Sequence, residues 1–455
     1  HGRLAGTACL ASGERLDLRG LHVGGRSGRR GAVELRPSHR SERRARRASP
    51  ERAGLSRSVS YAGAVESAFL VTVSGPDRVG VGAELFAALS DLSAAGARVT
   101  DVGQITIRGA LVLCAEVHGE NLSRRDVQNA LNAHDIVRGG ISATVEEPEP
   151  EADGAGKRLL VTVLSHSISG GQLESIFRAI AESGSTCERI VHLATYPVDC
   201  YELVVRSSDH PTLREGLVTA AKANGLDLAV QRAGLHRRAK HLVVMDADST
   251  LLQDEVIDLL ADECGCAEEV ATITAAAMAG EIDFAESLRR RVALLKGLPA
   301  SVLDDVRSRL RLTPGARTLL RTLRRLGYVP AVVSGGFVDV LAPLLAELEV
   351  DLFEANCLEI ADGVLTGQLC GPIVDRAGKA AALVRFAGEV GVPLEQTVAV
   401  GDGANDIDML MAAGLGIAFN AKPVVREHAD AALSVPYLDA VLYFLGISRE
   451  EIDDA

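Results

Sequence analysis

The stretch His241-Leu-Val-Val-Met-Asp246-Ala-Asp248-Ser-Thr250 decides the fold of the second half of this chain. Four apolar residues run straight into two aspartates one residue apart, followed by two hydroxyls. An apolar run without alternation suits a strand buried on both faces, as in a parallel sheet. Open α/β sheets take ligands in the crevice beyond the carboxyl ends of their strands, so both carboxylates are expected there. Two acids so placed suit a divalent cation, a nucleophile and a proton donor. The plainer reading is a helix cap, which Ser249 or Thr250 would serve equally well.

Three later stretches decide between the two. Tyr328-Val-Pro-Ala-Val-Val-Ser334-Gly335-Gly336-Phe337 is a second apolar strand ending in a hydroxyl and two glycines. Glycines let backbone N–H groups close on an anion, and the following helix presents its positive end. Lys379, in Asp375-Arg-Ala-Gly-Lys379, opens a predicted helix and can set an ammonium beside a phosphate. Gln396-Thr-Val-Ala-Val-Gly401-Asp402-Gly403-Ala-Asn405-Asp406 is a third strand ending in a glycine-flanked acidic cluster. Singly, these read as a turn, a solvated lysine and a loop. Together, each at a strand's carboxyl end, they supply nucleophile, phosphate cradle, cation and metal ligands.

This set resembles the four motifs of the haloacid-dehalogenase-like phosphatases and, more narrowly, those of the phosphoserine phosphatases. Glu255, nine positions after Asp246, matches a glutamate of that family. The segment Ala277-Met278-Ala-Gly-Glu-Ile-Asp-Phe284-Ala-Glu-Ser-Leu-Arg-Arg-Arg291 resembles the family's cap. The resemblance covers residues 240–436. It implies Asp246 as the nucleophile that forms an aspartyl-phosphate, and Asp248 as acid and then base. It also implies Mg²⁺ held by Asp246, the Asp248 carbonyl and Asp402, with Asn405 and Asp406 in support. Ser334, Gly335 and Lys379 would meet the phosphoryl oxygens.

Between the first two strands, residues 257–312 are helical in pattern and rich in Ala, Leu, Glu and Arg. Such an insert reads as a cap that excludes water from the crevice. Phosphoserine carries an ammonium and a carboxylate besides its phosphate. The resemblance assigns Glu255 to the first and Arg291 to the second, with Met278 and Phe284 as walls. Within an Arg289-Arg290-Arg291 run, a solvated surface is the competing reading for Arg291. Cys264 and Cys266 lack the second pair or histidine that a zinc site needs, and read as helix residues.

The first half contains an internal repeat. Phe69-Leu-Val-Thr-Val-Ser-Gly75-Pro-Asp77-Arg-Val-Gly80 and Leu159-Leu-Val-Thr-Val-Leu-Ser165-His-Ser167-Ile-Ser-Gly170 begin alike. Each continues as helix, two strands, helix and strand, the ferredoxin-like order. The two modules, residues 65–148 and 157–235, resemble ACT domains, which implies binding of an amino-acid effector, here serine, and pairing into a homodimer. Gly75, Asp77 and Gly80 would form the effector loop, Asp77 taking the ammonium and the helix start the carboxylate. The second copy has Ser165 and Ser167 at the first two of these positions, so pairing with the first copy suffices to explain it. Glu147–Gly156 reads as an acidic Pro/Gly linker.

Residues 1–64 stand apart. Up to Ser60 there are fourteen arginines, no lysine and five acids, a net +9; the chain's −13 therefore leaves −22 on residues 61–455. A Gly-, Ser- and Arg-rich segment without apolar periodicity reads as disordered. No aromatic platform accompanies it, and the acidic remainder argues against nucleic acid or anionic membrane as partners. No segment reads as a signal peptide or a membrane span. Eight scattered cysteines do not look like a disulfide framework, and a reducing cytoplasm is the expected compartment.

The expected molecule is therefore a doubly wound α/β domain at residues 240–455 with a helical cap, preceded by two ferredoxin-like modules. The expected activity is Mg²⁺-dependent hydrolysis of phosphoserine, with amino-acid feedback. Two alternatives stand beside it. A phosphatase for another small ester would not need Glu255 and Arg291, and a non-catalytic amino-acid sensor would not need Asp246 and Lys379.

Overall fold

The computed structural model describes residues 66–134, 136–148, 156–234, 237 and 239–454. The basic tail and residues 149–155 of the acidic linker lie outside the described residues. Two compact units divide at residues 153 and 154.

The first unit runs β1 (Glu66–Pro76), α1 (Val81–Asp91), β2 (Arg98–Ile107), β3 (Ala110–Glu120), α2 (Arg124–Ala133) and β4 (Ser142–Glu146). The sheet is antiparallel in the order β2-β3-β1-β4. Period-two alternation buries Phe69, Val71 and Val73 on β1, and Leu111, Leu113, Ala115 and Val117 on β3. Leu85 and Leu89 of α1 and Val127 and Leu131 of α2 cover that face. Ser123 and Asp126 close a capping box that fixes where α2 starts.

In the second unit the same module recurs as β5 (Lys157–Ser165), α3 (Gly170–Glu182), β6 (Thr186–Ala194), β7 (Asp199–Ser207), α4 (His210–Ala223) and β8 (Asp227–Arg232). The α/β domain follows. Its first strand, β9 (Leu242–Met245), leads into four cap helices: α5 (Val256–Cys264), α6 (Ala267–Met278), α7 (Phe284–Leu294) and α8 (Val302–Arg309). The core resumes with α9 (Ala316–Arg325), β10 (Val329–Phe337), α10 (Val338–Glu347), β11 (Leu352–Ala361), β12 (Val364–Cys370) and α11 (Arg376–Val390). It closes with β13 (Thr397–Gly401), α12 (Ile407–Ala412), β14 (Gly416–Phe419) and β15 (Ala431–Leu433). The strands β11, β10, β9, β13, β14 and β15 are parallel neighbours, with β9 at the centre and all four of its residues buried.

Three features depart from the sequence reading. First, β12 pairs antiparallel with β11 and reaches the cap: Gly297 N–H donates to the Leu365 carbonyl and Leu365 N–H to Leu298. A β-hairpin thus props the cap from behind. Second, the second module of the repeat and the α/β domain share one eleven-stranded sheet, joined where β8 meets β15 at Ala229 and Ala431. Buried Asp227 accepts from Ser434 N–H, and Gln231 donates to the Phe444 carbonyl. Third, four of the cysteines that did not look like a disulfide framework are brought together as two disulfide pairs, Cys264–Cys266 and Cys357–Cys370. The second joins facing residues of β11 and β12, a proximity that spacing in the sequence does not disclose. No described helix is long and apolar enough to cross a membrane.

Candidate active site

Strands β9, β10 and β13 lie side by side and end at one edge, so the loops that follow them converge. Asp246 begins the first loop and is 4% exposed, its Oδ1 accepting from Ala247 N–H at 2.7 Å. The chain then leaves helical geometry at Asp248 and takes Ser249 into the left-handed region at φ 57°. That turn aims Asp248 back across the crevice. Its Oδ1 accepts from Val256 N–H at 2.9 Å and its Oδ2 from the Ser334 hydroxyl at 3.1 Å.

Lys379 enters from α11, where the Asp375 side chain caps the helix on Gly378 N–H. The lysine is fully buried, and its Nζ lies 2.7 Å from Asp246 Oδ2 and 2.7 Å from Asp406 Oδ1. Asp406 Oδ2 in turn accepts from the N–H groups of Asp402 and Gly403, at 3.1 and 2.9 Å. A Cβ at Gly401 would stand 2.5 Å from the Asp406 carboxyl carbon, so the loop closes this tightly only around glycine. Asp402 accepts at 3.0 Å from Thr250, whose hydroxyl is buried. Thr250, weighed in the sequence as a cap, is therefore a support for Asp402. Asn405 sits half-buried between Asp402 and Asp406.

One oxygen each from Asp246, Asp402 and Asp406 lie within 4.8 Å of one another. Three carboxylates face one ammonium, which leaves a surplus of two negative charges in a buried place. Burial and the neighbouring Asp406 push the Asp246 carboxyl well above the usual carboxylate range. Burial and Asp406 likewise raise Asp402 to about 6. Lys379 is held charged, because Asp246 and Asp406 overcome the cost of burying it. An all-oxygen donor set with this charge surplus fits a small divalent cation. Asp248 lies outside that cluster, and burial followed by the nearby Glu255 raises it to about 7.

The cap brings the remaining expected residues to different depths. Phe284, at the start of α7, lies over the β10 loop, its Cζ 3.1 Å from where a Gly335 Cβ would stand. Arg291, two turns on, is half-buried and donates to the Ser287 carbonyl at 3.4 Å. Burial lowers its pKa, and Glu255, Asp258 and Asp248 act against that. Arg291 thus lies within electrostatic reach of Glu255, Asp258 and Asp248 and is only partly solvated. Glu255 is exposed and accepts from the Ser249 hydroxyl at 2.8 Å. Met278 ends α6 with its side chain 67% exposed.

In the first unit, Gly75 and Gly80 have φ values of 153° and 99°, a region that favours glycine. A Cβ at Gly75 would also lie 2.7 Å from the Gly140 carbonyl oxygen. Asp77 is exposed, with its N–H on the Gly109 carbonyl, and Arg78 beside it makes a two-point ion pair with Glu84. The second copy differs at the matching loop, where Ile168 N–H donates to the chain's own Asp199 carboxylate at 3.1 Å.

Comparison with known proteins accords with this geometry. Residues 243–411 match the haloacid dehalogenase-like hydrolases, and residues 67–136 and 159–231 each match an ACT domain. A phosphoserine phosphatase of Streptomyces coelicolor is 53% identical over 390 residues, 85% of this chain and 94% of that one. One of Mycobacterium tuberculosis is 48% identical over 400 residues, 85% and 95% of the two chains. A solved haloacid dehalogenase family hydrolase of Salmonella enterica serovar Typhi is 30% identical with a TM-score of 0.57, over 64% of this chain and 99% of that one. The probable phosphoserine phosphatase of Vibrio cholerae is 34% identical with a TM-score of 0.51, over 65% and 89%. The chain belongs to the phosphoserine phosphatases, haloacid dehalogenase-like hydrolases that here follow two ACT domains.

Proposed function

We propose that this chain hydrolyses O-phospho-L-serine to L-serine and phosphate, completing serine synthesis, through an aspartyl-phosphate on Asp246. The observation that carries the reading is Lys379 set 2.7 Å from both Asp246 and Asp406 at the end of the central strands. An Asp246 oxygen attacks phosphorus as the bond to the serine oxygen breaks. Lys379 and the Gly335 N–H take up charge on the equatorial oxygens, and the Ser334 hydroxyl, expected from the sequence to join them, holds Asp248 Oδ2 at 3.1 Å. Asp248, raised to about 7, delivers its proton to the departing serine oxygen. It then takes a proton from the water that releases phosphate and restores Asp246. Mg²⁺ would be held by Asp246, the Asp248 carbonyl and Asp402, with Asn405 and Asp406 in support, and supplies charge neutralisation when bound.

Substrate choice rests on the cap. Glu255 takes the substrate ammonium and Arg291 its carboxylate, with Phe284 and Met278 as walls. The Gly75, Asp77 and Gly80 loop takes an amino-acid effector, serine, and the first ACT domain pairs with its counterpart in a homodimer. Feedback follows if serine binds more tightly to a less active arrangement. The compartment is the cytoplasm, where both disulfides are expected to be reduced.

The test is phosphate release from L-phosphoserine and a panel of other phosphate esters, with Mg²⁺ or EDTA and with serine titrated in. Metal-dependent release that prefers phosphoserine and falls with serine, but not with serine on Asp77→Ala, supports each part. Release from other esters alone overturns the roles of Glu255 and Arg291.

A further inference from the structure

Asn356 belongs to neither the motifs nor the cap, yet it is 1% exposed and both ends of its amide are engaged. Its Nδ2 donates to the Gly335 carbonyl at 2.8 Å, and its Oδ1 accepts from Val374 N–H at 2.8 Å. The first contact lies in the phosphate-binding loop. The second lies at the entry to α11, one residue before the Asp375 cap and five before Lys379.

The sheet register explains how the residue reaches both. Strands β10 and β11 pair as far as Val333 and Glu354, and resume at Phe337 and Asn356. Three residues of β10, Ser334 to Gly336, are therefore looped out opposite a single residue of β11. Backbone groups in such a bulge lack ladder partners and need others. The Gly335–Gly336 peptide finds one at each end. Its carbonyl accepts from Asn356, and its N–H donates to the Ser334 hydroxyl oxygen at 2.8 Å. With that lone pair occupied, the Ser334 hydroxyl turns its hydrogen to Asp248 Oδ2 at 3.1 Å. Every bond in the series donates the same way, from Asn356 through one peptide and one hydroxyl to Asp248. Hydrogen bonds aligned in this manner polarise one another.

We infer that Asn356 is a positioning residue for the leaving-group step: it orients the Gly335–Gly336 peptide and, through Ser334, the Asp248 carboxyl that protonates the departing oxygen. The proposal rests on the reading of Asp248 given above. Asn356 touches no reacting atom; it fixes the direction of a hydroxyl that does. The shape that serves this is an amide: a carboxylate can still accept from Val374 but cannot donate to Gly335.

The test compares kcat/KM for two esters on Asn356→Asp, Asn356→Ser and Asp248→Asn, with Mg²⁺ and the full chain. L-phosphoserine leaves as an alkoxide that needs a proton, whereas p-nitrophenyl phosphate leaves as a phenolate that does not. For both Asn356 variants the expected loss is about 10–100-fold on phosphoserine and within about threefold on p-nitrophenyl phosphate. A residue that merely holds the fold would lower both equally. Equal losses, no loss, or failure of both variants to fold by circular dichroism would overturn the proposal. Asp248→Asn should show the same split; if it does not, the role of Asp248 fails and not the relay alone.

Discussion

Replacing Lys379 by Met keeps the length of the side chain and removes the ammonium that bridges Asp246 and Asp406. At 2.7 Å from each carboxylate, and with an effective dielectric near 20, each attraction is about 6 kcal/mol. Against that gross gain stands the desolvation of a fully buried ammonium, several kcal/mol. Removing one partner of such a set leaves uncompensated charge and costs about 3–5 kcal/mol of folding stability without metal. The cost should depend on pH in a defined sense. Asp246 is already raised above its unfolded value, and loss of the cation raises it further. A carboxyl raised in the folded state binds more protons folded than unfolded, so the variant loses stability as pH rises and regains it as pH falls. Urea unfolding in EDTA at about pH 5 and about pH 8 reads this directly, the deficit being larger at the higher pH. Phosphate release should fall at least about 10³-fold, or ~4 kcal/mol in the barrier. A variant that retained a tenth of the activity, or whose deficit did not change with pH, would refute the charge argument.

Other outcomes follow from the same geometry. Because Asp248 is raised to about 7 and must be protonated to release serine, kcat/KM for phosphoserine should fall as pH rises through about 7. A flat profile to pH 9 would remove Asp248 as the acid. Arg291→Lys keeps the charge but not the fork, and should raise KM for phosphoserine about 10–100-fold while leaving p-nitrophenyl phosphate unchanged. Equal effects on both esters would return Arg291 to a structural role. Lys240 is buried with its Nζ on the Glu395 and Thr397 carbonyls, at 2.6 and 3.2 Å. Lys240→Met should therefore cost about 1–3 kcal/mol in urea unfolding and leave KM unchanged.

What was legible in the sequence has a physical pattern. Val243, Val244 and Met245 could be read as a strand because a central parallel strand is apolar on both faces, and Asp246 could be placed because ligands gather at such strand ends. The repeat was legible because Phe69-Leu-Val-Thr-Val and Leu159-Leu-Val-Thr-Val start alike. Periodicity reports faces and not edges, so the meeting of Ala229 with Ala431 left no local mark. Nor did the β12 hairpin that props the cap, since Val364 to Cys370 is short and follows a turn at Asp362 and Gly363. Asn356 escaped notice and Thr250 was read only as a cap, because their roles come from partners far along the chain, Gly335 and Val374 in one case and Asp402 in the other. An asparagine flanked by Phe353, Ala355, Cys357 and Leu358 is the sequence signal that points to the first.

The central claim is that Asp246 carries the phosphoryl group between two half-reactions. Quenching the enzyme in acid during turnover of phosphoserine, reducing it with borohydride and sequencing the peptides by mass spectrometry tests this. An aspartyl-phosphate is expected to be reduced at position 246 alone, giving homoserine there and an unchanged Asp248. Homoserine at another position, or none while phosphate is released, would contradict the account.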